Sequence, residues 1–378
     1  MINRSVTFAL LAALFVAACA APPPAAQQPA FAPTQANPAP TEAPTPTPQA
    51  GLTITDALGR EVALPALPQR IVLTGRALFM VADAVYTFPE AGKRIIGMGQ
   101  TAQGSGNFVK LIDPDYGSKA VLERDAGAEQ VAALKPDLVI LKSTAAEATG
   151  KPIEALNIPV IYVDFETPEQ YVRDLTILGQ VFGNPTRAQA VIDFYQRKVA
   201  QIEQAVADAP RPRALLLYYN DRDGNIAFNV PPLNWIQTRM VQIAGSQPVW
   251  SDAKLGKGWT QVTLEQIAAW DADFIFIVSY FKNPSEVVSA LKADPNWQAL
   301  RATREGRLFA FPADLYSWDQ PDTRWILGLT WLAGRLHPER FPNLDIEAEA
   351  KAFYRELYGL DEAFFIAQIR PTFQGDLP

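Results

Sequence analysis

The stretch TRAQAVIDFYQRKVAQIEQAVA, residues 186–207, predicts one uninterrupted helix in the middle of the chain. Its large apolar side chains recur at helical spacing, at Val191, Phe194, Tyr195, Val199, Ile202 and Val206. At about 1.5 Å per residue, such a helix is roughly 30 Å long, which is enough to cross a domain. Gly183-Asn184-Pro185 separates it from a second helical segment that begins at Pro168. These helices therefore divide the chain into two halves.

On the N-terminal side of the long helix, short apolar runs alternate with helical patterns. The runs predict buried strands at residues 70–73, 94–97, 137–141 and 159–163. Helical patterns occur at residues 129–134 and 152–156. Continuous β-branched runs separated by helices are typical of parallel strands that are covered on both faces.

The C-terminal half repeats this alternation. Strands are predicted at residues 214–218, 274–278 and 307–311, and helices at residues 263–270, 284–291, 325–336 and 346–358. The predicted fold class is therefore α/β, with two lobes, each a mainly parallel sheet flanked by helices, joined by one long helix. The predicted boundaries are an N-terminal lobe at 52–167, linking helices at 168–208 and a C-terminal lobe at 209–378.

The first residues predict export and lipid attachment. Residues 1–19 combine a positive start at Arg4, an apolar run and the sequence VAAC, which ends at Cys19. The run has the length of a signal peptide and is shorter than the roughly 20 residues that a membrane span needs. Small residues before a cysteine are typical of a bacterial lipobox, and Cys19 is the only cysteine in the chain. An ordinary signal peptide with a chance cysteine is the alternative.

Residues 20–51 predict a disordered tether. Alanine, proline, glutamine and threonine dominate the segment, and Phe31 is its only large apolar residue. Too little apolar surface is present to offset the entropy of ordering the segment. The repeated proline steps favour extended conformations, so the segment is predicted to be a semi-rigid spacer. A ligand for a proline-binding module is the alternative.

Composition narrows the classes of partner. About 330 residues follow the tether, more than one core usually organises, which agrees with two lobes. The formal net charge is −7 and the chain has no basic cluster, so nucleic acid is not expected as a partner. No second apolar run of membrane length follows the signal. We expect a soluble mature chain, held at the membrane through the lipid anchor.

Several segments resemble the substrate-binding proteins of ABC importers, in the class that takes up ferric siderophores, haem and corrinoids. They are ITDALGREV at 54–62, PQRIV at 68–72, GAEQVAALKPDLVI at 127–140, VTLEQI at 262–267 and GLTWLA at 328–333. The resemblance covers residues 52 to about 360. It implies a monomeric, extracytoplasmic binding protein that delivers a small ligand to a permease, has no cofactor and is not an enzyme. It also implies lobes that close by a modest rotation.

The resemblance also implies a permease-docking role for Glu129 and Glu265. In the family, one surface glutamate on each lobe pairs with arginines of the permease. Each of the two begins a predicted helix that precedes a strand. A carboxylate in a first turn is also favoured by the helix dipole, by a few tenths to about 1 kcal/mol, which is the alternative explanation.

Ligand-binding candidates lie in the loops that follow strands, because ligands of open parallel sheets sit beyond the carboxyl ends of the strands. The candidates are Arg76, Lys142, Lys257, Trp259, Tyr280 and Trp318. Aromatic side chains give rigid contact area and the cations neutralise charge, so a large flat or anionic ligand is expected. The three aromatic candidates could equally be core residues. A ferric siderophore is the preferred ligand, and a corrinoid or an oxyanion remains open.

The sequence contains few of the residues and motifs that metal sites and enzyme active sites require. With His337 as the lone histidine, placed at a helix end, and Cys19 as the lone, lipidated cysteine, the chain is not expected to build a zinc site or to supply histidine ligation to haem iron. The sequence GMGQTA at 97–102 fits a loose dinucleotide fingerprint, but a glycine-rich segment follows it instead of a helix. No Walker loop and no G-x-S-x-G motif is present. An extracellular enzyme on a two-lobed α/β fold remains the alternative.

Overall fold

The computed structural model describes residues 51–377, except for residues 102, 125 and 223. The predicted signal peptide, Cys19 and nearly all of the predicted tether lie outside the described residues. The described residues belong to one compact unit, Gln49–Pro378. Within them, no helix has both the length and the apolar character that a membrane crossing requires.

The first half of this unit contains a small hairpin and a five-stranded sheet. Its strands are β1 (Leu52–Thr55), β2 (Glu61–Leu64), β3 (Ile71–Leu73), β4 (Ile95–Gly99), β5 (Ala120–Leu122), β6 (Leu138–Lys142) and β7 (Val160–Val163). Its helices are α1 (Leu78–Val85), α2 (Ala91–Arg94), α3 (Phe108–Ile112), α4 (Ala128–Ala133) and α5 (Lys151–Glu154). A π-helical turn, Ala146–Gly150, precedes α5.

The sheet of this first lobe has the order β5-β4-β3-β6-β7, and all its neighbouring strands are parallel. In its register, Val72 lies opposite both Gly97 and Val139. Strands β3 and β6 are buried along their whole length, as expected for strands covered by helices on both faces. The chain adds β4 and β5 on one side of β3 and then places β6 and β7 on the other side. The strand order therefore reverses between β3 and β6.

Two helices lead from the first sheet to the second, α6 (Pro168–Phe182) and α7 (Pro185–Val206). The side chain of Asn184 accepts a hydrogen bond from the backbone N–H of Arg187, and Pro185 occupies the first turn, so both residues start α7. The apolar stripe of α7 is buried, as its spacing predicted, except for the half-buried Val199. The long helix is confirmed.

The second half contains a mixed sheet with more helices. Its strands are β8 (Arg213–Arg222), β9 (Asn225–Val230), β10 (Gln247–Pro248), β11 (Thr260–Val262), β12 (Phe274–Val278) and β13 (Leu308–Ala310). Its helices are α8 (Ile236–Ile243), α9 (Leu264–Trp270), α10 (Pro284–Ala293), α11 (Pro295–Gln298), α12 (Arg301–Arg304), α13 (Trp325–Leu336), α14 (Ile346–Tyr358) and α15 (Glu362–Phe364).

The sheet of this second lobe has the order β11-β9-β8-β12-β13, and β10 pairs with β8. Strands β8, β12 and β13 are parallel, whereas β9 folds back on β8 and β11 runs antiparallel to β9. The predicted α/β fold class of two mainly parallel sheets is confirmed. The antiparallel β9 and β11 were not predicted, because these short segments carry few β-branched residues in a row. The predicted lobe boundaries at 167 and 208 stay predictions.

The first lobe also contacts the second through a glycine-rich loop, residues 103–107. The backbone N–H of Ser105 donates to the carbonyl of Leu315 at 2.9 Å, and the Ser105 hydroxyl donates to the carbonyl of Asp314 at 3.2 Å. Phe79 of α1 stacks on Tyr316 with 4.4 Å between ring centroids. The lobes are therefore joined by side-chain and loop contacts as well as by α6 and α7.

Candidate functional site

Two connected cavities lie where the loops after the first sheet face the loops of the second. The aromatic chamber has a volume of about 390 Å³ and is lined by Gly75, Arg76, Ala77, Leu78, Phe79, Gln100, Thr101, Gln103, Arg124, Tyr218, Trp259, Tyr280 and Phe281. The polar chamber, of about 250 Å³, is lined by Arg76, Ala77, Met80, Gln103, Lys142, Thr144, Glu166, Trp235, Gln237, Trp259, Tyr280, Gln320 and Pro321. Arg76, Trp259 and Tyr280 belong to both, so the chambers form one cleft.

Stacked aromatic rings form the second-lobe wall of the cleft. Tyr218 and Tyr280 stack with 4.4 Å between ring centroids, and Trp259 lies 5.1 Å from Tyr218. Trp235 meets Trp259 edge to face at 5.8 Å. Tyr218 pairs with Val278 in the parallel register of β8 and β12, which brings Tyr280 beside it two residues later. The wall therefore results from the carboxyl ends of neighbouring strands.

A buried carboxylate holds Tyr280 in place from behind. The Tyr280 hydroxyl donates to Oδ2 of Asp319 at 2.7 Å, and the Ser317 hydroxyl donates to its Oδ1 at 2.6 Å. Burial raises the pKa of Asp319, although hydrogen bonds from Ser317, Tyr280 and Gln237 oppose the shift. Burial also raises the pKa of Tyr280 well above its ordinary value, so this phenol stays protonated. The ring is thus fixed as a neutral surface.

Two arginines stand on the first-lobe side of the aromatic chamber. Arg76 and Arg124 are both exposed, and neither forms an ion pair with any residue that the structure describes. No carboxylate occurs among the described residues that line this chamber. Sequence reasoning identified Arg76 but missed Arg124, which follows the short strand β5 at the carboxyl edge of the sheet. Strand β5 itself was not predicted, since it has only three residues, of which Leu122 alone is buried, and so short a run gives no clear pattern.

Lys142 lines the polar chamber, but its charge is already paired. Its side chain is only 4% exposed and forms an ion pair with Glu166. Glu166 lies two residues before α6, and its side chain is 26% exposed. The Lys142 ammonium also lies 3.6 Å from the sulfur of Met80. Lys142 was predicted to bind the ligand through its charge; in the structure that charge is paired with Glu166, because the loop after β7 places Glu166 against the end of β6.

Two other candidates line neither chamber. Trp318 is fully buried; its indole N–H donates to Oδ2 of Asp314 at 3.1 Å, and its ring packs edge-on against Phe373. The backbone N–H of Trp318 donates to Pro312, which folds this loop back and turns the indole into the core. Lys257 is exposed on the loop before Trp259. Arg76, Trp259 and Tyr280 are therefore the three predicted residues that the aromatic chamber brings together.

Glu129 and Glu265 occupy equivalent positions in the two lobes. Each is the second residue of its helix, α4 or α9, and each side chain is exposed. Helix α4 leads into β6, the neighbour of β3, and α9 leads into β12, the neighbour of β8. A hydrogen bond from its own backbone N–H, with a further one from Thr263, lowers the pKa of Glu265. This carboxylate is therefore charged at neutral pH.

The only histidine has a structural environment. His337 is 2% exposed at the end of α13, and its Nδ1 lies 3.8 Å from a carboxylate oxygen of Glu339. Among the described residues, no group of three or more His, Cys, Asp or Glu side chains is arranged to hold a metal ion.

The chain is similar to known binding proteins over most of its length. The family described as periplasmic binding protein matches residues 72–315. The molybdate-binding protein MolA of Haemophilus influenzae is 25% identical over 330 residues, covering 81% of this chain and 90% of the relative. A vitamin B12-binding protein of Yersinia pseudotuberculosis is 24% identical over 257 residues, covering 59% of this chain and 86% of the relative.

Solved structures agree on the fold. A periplasmic solute binding protein of Veillonella parvula matches with a TM-score of 0.67 and 24% identity, over 85% of this chain and 97% of that one. The matching family and both relatives are binding proteins. With a family match over most of the two sheets and a cleft between them, this chain belongs to the periplasmic binding protein family.

Proposed function

We propose that this chain binds an anionic ferric siderophore in the cleft and delivers it to the permease of its importer. The observation that carries the proposal is the composition of the aromatic chamber. Three rings packed against one another, Tyr218, Trp259 and Tyr280, face a space that also holds the guanidinium groups of Arg76 and Arg124, which form no ion pair with the described residues.

Size and chemistry favour a chelate. The aromatic chamber, at about 390 Å³, falls in the range of roughly 300–1,000 Å³ that accommodates drug-sized ligands. Aromatic faces supply rigid, low-entropy contact area for a bulky ligand. Guanidinium groups bind the oxygen atoms of carboxylates and similar anions in bidentate fashion. A ferric chelate with a net negative charge uses both kinds of contact.

The other ligand classes use only part of this chemistry. A corrinoid relies on aromatic contact and gains less from two unpaired arginines. A tetrahedral oxyanion uses the arginines but leaves the aromatic wall without a function. The oxyanion is nevertheless the second candidate, because a relative that covers most of this chain is a molybdate-binding protein.

Delivery requires anchoring and docking. Lipid attachment at Cys19 holds the chain at the outer side of the membrane and concentrates it near the permease. The exposed, equivalent glutamates Glu129 and Glu265 then pair with arginines of the permease, one on each lobe. Both glutamates lie on helices distinct from the loops that line the aromatic chamber, so docking leaves the ligand in place.

Titration of the full chain tests the ligand class. The probes are ferric enterobactin, which is anionic, ferrioxamine B, which is cationic, vitamin B12 and molybdate. Tryptophan fluorescence reports binding, since Trp235 and Trp259 line the cleft. We expect saturable binding of ferric enterobactin at micromolar concentration or below. Molybdate binding alone would replace this proposal with the oxyanion candidate, and B12 binding alone would replace it with the corrinoid.

Substitutions test the site. We expect Arg76→Gln and Arg124→Gln each to weaken binding of the anionic chelate at least tenfold, about 1.4 kcal/mol or more, because each removes a cation that lines the chamber and pairs with the ligand charge. Lys257→Gln is the matched control, since this exposed cation lines neither chamber, and its affinity should stay within twofold of wild type. An equal loss in all three variants would show a general charge effect and contradict the cleft assignment.

A further inference from the structure

A third cavity, the side chamber, lies entirely on the first lobe. Its volume is about 660 Å³, and it is lined by Thr74, Gly75, Arg76, Arg124, Ala126, Gly127, Ala128, Thr144, Ala145, Ala148, Thr149 and Pro152. No residue of the second lobe is among them. The side chamber shares Gly75, Arg76 and Arg124 with the aromatic chamber, so the two spaces meet at the arginines.

The topology of the sheet accounts for the position of the side chamber. The strand order reverses between β3 and β6, so the loops after these two strands diverge and leave a crevice. In open α/β sheets, this crevice at the carboxyl ends of the strands is where ligands bind. Thr74 and Gly75 follow β3, and Thr144 and Ala145 follow β6, and all four line the side chamber.

The lining has the chemistry of an anion site without aromatic surface. Two guanidinium groups and the hydroxyls of Thr144 and Thr149 face a wall of alanine and glycine. Carboxylates are absent from the described residues of this lining, and so are aromatic rings. In a chain with a net charge of −7, two cations without a described ion-pair partner on one cavity are an unusual concentration of positive charge. The hydroxyls add hydrogen-bond donors of the kind that oxyanions accept.

We infer that the side chamber binds an oxyanion group, held between Arg76 and Arg124 and hydrogen-bonded by the threonine hydroxyls. The group has two sources: a carboxylate-bearing arm of the ligand in the aromatic chamber, or a free oxyanion. The first source rests on the proposed function. The second source stands without it. In either case Arg76 and Arg124 line both chambers and contact anionic groups in each of them. The part of the side chamber away from the arginines accepts only a small polar group.

Blocking the side chamber without touching the cleft is the critical test. Ala148 is exposed, lines only the side chamber and lies on the π-helical turn, so Ala148→Trp fills the chamber from its edge. Ala155→Trp is the matched control: the same substitution at an exposed alanine seven positions later, at the end of α5 and outside all three chambers. Circular dichroism and thermal unfolding verify that each variant is folded. If Ala148→Trp does not fold, Ala148→Met is used in its place.

Selenate, a tetrahedral oxyanion, is the first probe, measured by isothermal titration calorimetry on the full chain. We expect saturable binding to wild type and to Ala155→Trp, and at least tenfold weaker binding to Ala148→Trp. Crystals soaked in selenate should show anomalous scattering between the two arginines. Absence of saturable selenate binding to wild type, or equal binding to the two variants, overturns the inference, whatever the chelate titrations give.

Ferric chelates then distinguish the two sources. Ferric dicitrate carries pendant carboxylates, whereas ferric tris(catecholate) is anionic but has no arm. If Ala148→Trp weakens ferric dicitrate selectively, the side chamber holds an arm of the transported ligand. If the variant loses selenate but binds both chelates as wild type does, the side chamber serves a free oxyanion. Failure of both chelates to bind wild type contradicts the proposed function and leaves the selenate result as the test of the side chamber.

Discussion

The guanidinium of Arg324 donates a hydrogen bond from Nη1 to Oδ2 of Asp83 at 2.5 Å, and neither side chain is exposed. Asp83 lies on α1 of the first lobe and Arg324 directly precedes α13 of the second. Arg324 also donates from Nε to Asp314 at 2.7 Å and from Nη1 to Asp322 at 3.1 Å. One buried guanidinium therefore holds carboxylates of both lobes, independently of the linking helices.

This cluster makes stability depend on pH. Burial raises the pKa of Asp83 from 3.8 to about 6, although the charge of Arg324 opposes the shift. A folded-state pKa above the unfolded value means that the folded protein binds the proton more tightly. The stabilisation that protonation gives is fully present below pH 3.8 and is lost as the pH rises through about 6. Asp83→Asn removes this titration.

We therefore expect the free energy of unfolding of wild type to fall more steeply between pH 5 and 7 than that of Asp83→Asn, by roughly 1–3 kcal/mol. Urea denaturation at both pH values measures the difference. Identical pH slopes in the two proteins would show that Asp83 does not titrate in this range.

The glycine-rich loop between the lobes leaves no space for a side chain at Gly104. Its φ is +87°, and a Cβ there would lie 2.2 Å from the carbonyl oxygen of Leu315 and 2.5 Å from Tyr316. We expect Gly104→Ala to lower the free energy of unfolding by about 2–4 kcal/mol. Gly306→Ala is the control, because Gly306 has a φ of +72° but no atom within 4 Å of its Cβ position. Gly306→Ala should therefore lower the free energy of unfolding only by the cost of the backbone strain, about 1 kcal/mol. Equal losses would show that the loop moves away at no cost.

Glu166 neutralises the cation on the floor of the polar chamber. Glu166→Gln leaves the Lys142 ammonium without its ion-pair partner, at a position only 4% exposed. We expect the variant to bind an anionic chelate about threefold to tenfold more tightly, since the freed charge faces the ligand. The free energy of unfolding should fall by about 1–3 kcal/mol, because a buried charge loses its partner. Calorimetry and urea denaturation measure the two effects, and unchanged affinity would place Lys142 outside the ligand's reach.

The proposed docking role of Glu129 and Glu265 predicts that transport can be impaired without loss of ligand binding. Glu129→Ala and Glu265→Ala should each reduce ligand uptake into cells severalfold or more, while the affinity of the purified chain for the ligand stays unchanged. Glu203→Ala, an exposed glutamate on α7, is the matched control and should transport as wild type does. Weaker ligand binding in either docking variant would assign that glutamate to the cleft.

The proposed lipid anchor is attached through the sulfur atom of Cys19. Cys19→Ser should move the protein from the membrane fraction to the soluble extracytoplasmic fraction, because a hydroxyl does not receive the lipid. Fractionation followed by immunoblotting measures the distribution. Retention of the serine variant in the membrane fraction would contradict lipid attachment at this position.

The fold class and the order of the longer helices and buried strands follow from local sequence patterns. The spacing of apolar residues in α7 and the runs Leu138–Lys142 and Phe274–Val278 are local signals, because helix and strand periodicity follow from the backbone geometry of each segment. The strand–helix alternation then leaves few topologies. Glu129 and Glu265 were likewise found from motifs that are contiguous in the chain.

Which loop residues form the site depends on tertiary packing. Trp259 and Trp318 both follow turns and both looked like cleft aromatics, yet one lines the cleft and the other is fully buried. Arg124 entered the site through a strand too short to predict, and Lys142 was neutralised by a residue 24 positions away. The direction in which a loop side chain points depends on packing between segments that are distant in the chain. That packing also created the Arg324 cluster, whose partner Asp83 lies 241 positions away.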